Sequence, residues 1–200
     1  MSYINKKPLL NIPNALTMLR IVLIPVFVGI FYMPADTIPA HWVNVSATLV
    51  FALAALTDWL DGYLARMLNQ TSAFGAFLDP VADKLMVAAA LIVLVEFERV
   101  GAIIALIIIG REIAISALRE WMAGVGDRSS VAVAMLGKIK TVAQMLAIPF
   151  LLYYDPIYFG TVGTINVKLI GELLITTAAF LTLLSMAYYL KAAWPNMKAR

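Results

Sequence analysis

Four aspartates at fixed spacing are the residues of this sequence best suited to chemistry. Asp58 and Asp61 lie three apart and Asp79 and Asp83 four apart, so on helices each pair shares a face. Carboxylates are hard oxygen ligands and select Mg²⁺, Mn²⁺ or Ca²⁺ over zinc or copper. Four of them at one depth repel one another without a counter-charge. They can hold two ions, the arrangement suited to stabilising attack and departure at phosphorus. A purely structural role is the weaker alternative, because burying paired carboxylates without a cation is wasteful. Other chemistries fall away: there is no cysteine and His41 is the only histidine, which excludes thiolate catalysis, Cys-based zinc sites and histidine triads.

Small and basic residues surround the aspartates. Gly62, Ala65 and Gly75 leave room for a ligand to approach a helix backbone, and their spacing suits tight helix packing equally well. Arg66, beside the acidic run, is a candidate phosphate contact or a simple topology anchor. Asn14, Thr17 and Arg20 form a polar face at three-residue spacing on an otherwise apolar stretch; they could flank a ligand headgroup or only pack helices.

The elements that position these groups are expected to be membrane helices. Hydrophobic residues make up 62% of the 200 and charged residues 14%, with a mean hydropathy of +0.89; a soluble chain needs more polar surface. A bilayer core about 30 Å thick needs roughly 20 apolar residues. Six spans are predicted, near 12–33, 43–66, 80–98, 101–121, 135–154 and 165–190. The fold class is therefore all-α integral membrane: one six-helix domain over 1–200, with Tyr3–Leu10 as a short N-terminal interfacial segment. No removable signal peptide is expected. Pro80 suits the first turn of the third helix with Asp79 as its N-cap. Helices two and three then run as antiparallel neighbours with converging acidic faces. Only Arg99 and Lys168 fall on the side away from the termini, so the positive-inside rule makes the termini and the 67–79 and 122–134 loops cytoplasmic. The net charge of +3 gives no case for a nucleic-acid partner, and none is expected.

The run from Asp58 to Asp83 reads D-x2-D-G-x2-A-R-x8-G-x3-D-x3-D, eight fixed residues over 26 positions. It resembles, without a gap or mismatch, the signature of the CDP-alcohol phosphotransferase family. Stretches such as Asn11–Arg20, Gly75–Lys84 and Arg111–Trp121 are similar to the bacterial branch that makes phosphatidylglycerophosphate. The resemblance implies a bacterial inner-membrane enzyme with its active site on the cytoplasmic side, a homodimer, and two Mg²⁺ or Mn²⁺ ions. It implies CDP-diacylglycerol, a membrane lipid, as donor. Asp58, Asp61 and Asp79 would be metal ligands, with Asp58 and Asp79 bridging, and Asp83 would be both ligand and general base. Gly62, Ala65 and Gly75 would line the cytidine pocket and Arg66 would contact the pyrophosphate. Ser72, within the motif, would add a phosphate contact or remain a solvated loop serine.

The motif leaves the acceptor open. Arg111 and Arg119 lie eight apart, two turns along one helix, and Lys138 and Lys140 open the fifth span. Such a basic set suits an acceptor that carries phosphate, such as sn-glycerol 3-phosphate; serine, a zwitterion, does not require it. Arg111 lies deepest in its apolar run and most needs a partner, whereas the two lysines could equally be anchors. Rival readings are a relative using serine or an inositol phosphate, and, from another class, an ion transporter. The last would carry polar residues through the full depth of several helices, whereas here the acids and arginines gather toward one side.

Overall fold

A computed structural model describes residues 11–34, 36–68, 72–124, 134–158, 160 and 163–198. Among these described residues six helices follow in chain order: α1 (Ile12–Phe31), α2 (Ala40–Met67), α3 (Ala73–Glu96), α4 (Ala102–Gly124), α5 (Ala134–Tyr153) and α6 (Val167–Lys198). A short antiparallel ladder, β1 (Ile157–Tyr158) with β2 (Thr164–Ile165), sits between α5 and α6 and was not foreseen. The expected interfacial segment at 3–10 lies outside the described residues.

Among the described residues the helices match the expected spans in number and order, with two large shifts: α6 runs on to Lys198 rather than ending near residue 190, and the start of α3 moves. α3 starts at Ala73 rather than near residue 80. Pro80 therefore lies inside a helix, where its ring removes one backbone donor, and Asp79 is not a cap. The cap is Ser72, whose Oγ accepts the Gly75 N–H at 2.9 Å, while its carbonyl accepts the Ala76 N–H at 3.0 Å. A serine three residues before a helical N–H is the ordinary start signal, and here it outweighs proline's preference for a first turn. α1 begins in the same manner, with Asn11 Oδ1 accepting from Asn14 N at 2.9 Å and Pro13 in the first turn.

By length and composition, Ile12–Phe31, Ala40–Met67 and Val167–Tyr188 can each cross a bilayer. α3 and α4 are as long, but Asp79, Asp83 and Lys84 interrupt the first, and Arg111, Glu112 and Arg119 the second.

The chain forms two compact units, Met1–Val93 and Leu94–Arg200. In the first, α1 packs on α2. Phe27 meets Phe31 edge-on at 5.7 Å and Phe51 at 6.4 Å, over the buried alanines Ala47 and Ala54. In the second, α6 packs on both α5 and α4. Gly171 allows the α5–α6 approach: a Cβ there would stand 2.7 Å from Leu151 Cγ and 3.2 Å from its backbone nitrogen. Arg99 Nη1 donates to the last-turn carbonyls of α5, Leu152 O at 2.8 Å and Leu151 O at 3.3 Å. Its guanidinium lies 4.6 Å over the Tyr154 ring, and Lys168 Nζ lies 5.3 Å from the same ring. Arg99 and Lys168 thus share one aromatic partner.

Candidate active site

The site of the first unit is assembled on a residue of α1. Arg20 is 1% exposed, and a buried guanidinium needs anions. Its Nη2 reaches Asp61 Oδ2 at 2.6 Å, and its Nη1 reaches Asp83 Oδ1 at 2.7 Å and Asp58 Oδ1 at 2.9 Å. One turn earlier, the Thr17 hydroxyl lies 2.5 Å from Asp79 Oδ1, 3.3 Å from Asp61 Oδ2 and 3.2 Å from Pro13 O. It has one proton to give, and the closest oxygen takes it. All four motif aspartates are thereby gathered, two from α2 and two from α3.

The acidic residues of α2 and α3 are joined through Thr17 and Arg20 of α1, a bridge that the expected convergence of the two helices did not include. Helix periodicity already put Asn14, Thr17 and Arg20 on one face. That Arg20 would supply the missing counter-charge was the part that sequence reasoning missed, although the unpaired acids asked for it.

Asn14, the third member of that face, serves the start of α3. Its side-chain amide exchanges hydrogen bonds with Ser72 Oγ, at 3.0 and 3.1 Å. A Cβ on Gly75 would stand 2.5 Å from Asn14 Oδ1 and 3.1 Å from Ser72 Oγ. Gly75→Ala would gain up to about 1 kcal/mol of helix preference, against an overpacking cost of about 1–3 kcal/mol. A net loss of roughly 1 kcal/mol is expected, read as a lower thermal midpoint in detergent. An unchanged midpoint would mean that Asn14 moves aside freely.

The remaining residues of the motif are placed differently. A Cβ on Gly62 would meet nothing within 4 Å, so open space lies over this turn of α2. Ala65 is half-buried, and Arg66 is exposed in the last turn of α2. The rim of the acidic cluster is open as well: the Asp58 and Asp83 side chains are 41% and 40% exposed, whereas Asp61 is 3% exposed.

In the second unit, Arg111 and Lys140 are both buried and lie on either side of Glu112. Lys140 Nζ pairs closely with Glu112 Oε1, and Arg111 Nη1 stands 3.4 Å from the same oxygen. Arg111 Nη2 donates to Ser185 Oγ of α6 at 3.1 Å. Gln144, one turn beyond Lys140, is also buried, as is Thr182 of α6. Two cations share one anion here. Glu112 and Ser185 were not singled out from sequence, and only their tertiary neighbours distinguish them. Arg119 lies in α4 and Lys138 in α5, but their side chains are outside the described residues.

A family model described as CDP-alcohol phosphatidyltransferase matches residues 10–192. This chain belongs to that family. As a CDP-alcohol phosphatidyltransferase, it has named relatives along nearly its whole length. It is 49% identical over 185 residues to the CDP-diacylglycerol–glycerol-3-phosphate 3-phosphatidyltransferase of Shigella flexneri serotype 5b (strain 8401), covering 92% of this chain and 94% of that one. The protein of that name from Pseudomonas fluorescens is 50% identical over 193 residues, covering 94% and 93%. That from Escherichia coli (strain K12) is 49% identical over 185 residues, covering 92% and 94%.

The family uses divalent metals, and the donor set fits one. Three carboxylates converge on one guanidinium, and the fourth, Asp79, lies on the Thr17 hydroxyl beside it, so the cluster holds more acids than a single guanidinium pairs. Among the described residues no three acids already stand as metal ligands; Arg20 holds them in the arrangement that its own planar fork dictates.

Proposed function

We propose that this membrane enzyme transfers the phosphatidyl group of CDP-diacylglycerol to sn-glycerol 3-phosphate, giving phosphatidylglycerophosphate and CMP. The observation that carries the reading is the convergence of all four motif aspartates in a chain whose named relatives perform that transfer. The acceptor's primary hydroxyl attacks the β-phosphorus of the donor. The new P–O bond forms as the bond to the bridging oxygen breaks, and that electron pair leaves with CMP. Asp83 takes the hydroxyl proton as the bond forms.

Asp58, Asp61, Asp79 and Asp83 would hold Mg²⁺ or Mn²⁺, two ions in all. Such ions supply neutralisation of the pyrophosphate and of the departing CMP. Arg66 contacts the pyrophosphate, and Gly62, Ala65 and Gly75 border the cytidine. Ser72, the cap of α3, adds its phosphate contact by turning its hydroxyl proton from Asn14 Oδ1 to the phosphate. Arg111, Arg119, Lys138 and Lys140 take the acceptor's phosphate, Arg111 first, since its fork suits a tetrahedral anion. Residues 1–200 act as one six-span catalytic domain, as a homodimer in the bacterial inner membrane, with the termini and the active site facing the cytoplasm. The diacyl tails enter sideways from the bilayer, which leaves substrate placement at the lipid–water boundary as the main source of rate.

The test is an acceptor panel. Purified protein with CDP-diacylglycerol should release CMP with sn-glycerol 3-phosphate, and not with serine or an inositol phosphate. Arg111→Ala should raise the KM for glycerol 3-phosphate by roughly ten- to a hundredfold, the worth of a charge-assisted hydrogen bond. Turnover with serine instead would reassign the acceptor, and an indifferent Arg111→Ala would move the acceptor phosphate elsewhere.

A further inference from the structure

The proposed reaction gives Arg20 no task, yet Arg20 is the residue on which the acidic cluster is built. It is fully buried, and its two terminal nitrogens engage oxygens of Asp58, Asp61 and Asp83. Those oxygens carry the lone pairs that a divalent ion needs. Each of these carboxylates keeps a second oxygen, but a guanidinium and a metal ion are both positive and repel each other across so small a cluster.

Two observations show that the guanidinium is not a closed fit. Its Nε is buried without a hydrogen-bond partner among the described residues, a donor left unsatisfied in the interior. One carboxylate also has a hold of its own: the Thr17 hydroxyl donates to Asp79 independently of Arg20, with Asp61 Oδ2 3.3 Å away. The cluster is reachable too, because Asp58 and Asp83 are each about two-fifths exposed, and Mg²⁺ keeps part of its water shell as it binds.

We propose that Arg20 is an internal counterion of the aspartate cluster, a positioning residue that the divalent metal must displace. This rests on the metal-dependent reading of the cluster given above. By linkage, whatever the metal does to the grip of Arg20, Arg20 does to the metal's affinity by the same factor. The opposite role, a permanent bridge that presets the ligands, predicts the opposite sign. Removing a competitor tightens metal binding, and removing a bridge weakens it.

The experiment uses the full chain in detergent micelles, titrated with Mn²⁺ while the signal of the free aqueous ion is followed by electron paramagnetic resonance. Arg20→Met keeps side-chain length and removes the charge, and Arg20→Lys keeps a charge. Arg20→Gln is a milder neutral change if the methionine variant does not fold. The neutral variants are expected to bind Mn²⁺ more tightly, on the order of tenfold. Their thermal midpoint without metal should fall below that of wild type, and the gap should close at saturating Mn²⁺. Arg20→Lys should stay near wild type in both measures. Equal or weaker Mn²⁺ binding in the neutral variants overturns the proposal. So does failure of both to fold in saturating Mn²⁺, because a displaced counterion is dispensable once the metal is bound. Absence of Mn²⁺ binding in wild type would instead overturn the metal-dependent reading itself.

Discussion

Asp83→Asn is expected to fold as wild type does and to lose roughly 10²- to 10⁴-fold in turnover, the ordinary contribution of a positioned general base. The change is isosteric. The amide oxygen can still accept from Arg20 Nη1, which stands 2.7 Å from Asp83 Oδ1. The buried neighbours on α3, Ala82, Met86 and Val87, are untouched. What disappears is the capacity to take a proton and one negative charge of the metal site. Helix content and thermal midpoint serve as controls, and CMP release is the measure. A folded variant that turns over at the wild-type rate would remove Asp83 from the base role.

Excess EDTA is expected to bring CMP release down to background, and added Mg²⁺ or Mn²⁺ to restore it. Stabilisation of developing charge by a bound ion amounts to several kcal/mol, so the loss is roughly a thousandfold or more. The protein should stay folded meanwhile, because Arg20 and Thr17 retain the carboxylates without metal. Helix content measured in the same samples separates loss of chemistry from loss of fold. Activity that survives chelation would contradict the metal mechanism, whereas unfolding on chelation would mean that Arg20 is too weak a counterion for four acids.

The helical pairing of the motif aspartates and the predominantly helical, apolar character of the chain were legible in the sequence. Both are local properties: helical spacing pairs Asp58 with Asp61 and Asp79 with Asp83, and hydropathy accumulates along a single stretch. The turns at Pro34–Pro39 and Glu96–Gly101 were legible for the same reason, since the residues that break a helix lie at the break. The start of α3 was misread because two local signals conflicted. Pro80 suggested a first turn, but Ser72 caps the helix a full two turns earlier, and the helix carries the proline inside it.

By itself, the sequence determined which groups could do chemistry and in what kind of solvent, because residue type, period and hydropathy need no knowledge of distant neighbours. Only the tertiary structure decided how those groups are held. Arg20 reaches aspartates 38 to 63 positions away, Gly75 is small because Asn14 lies against it, and Arg111 and Lys140 meet at Glu112. Such pairings are settled by packing and by the demand that every buried charge find a partner, which act between residues that the chain's order keeps apart.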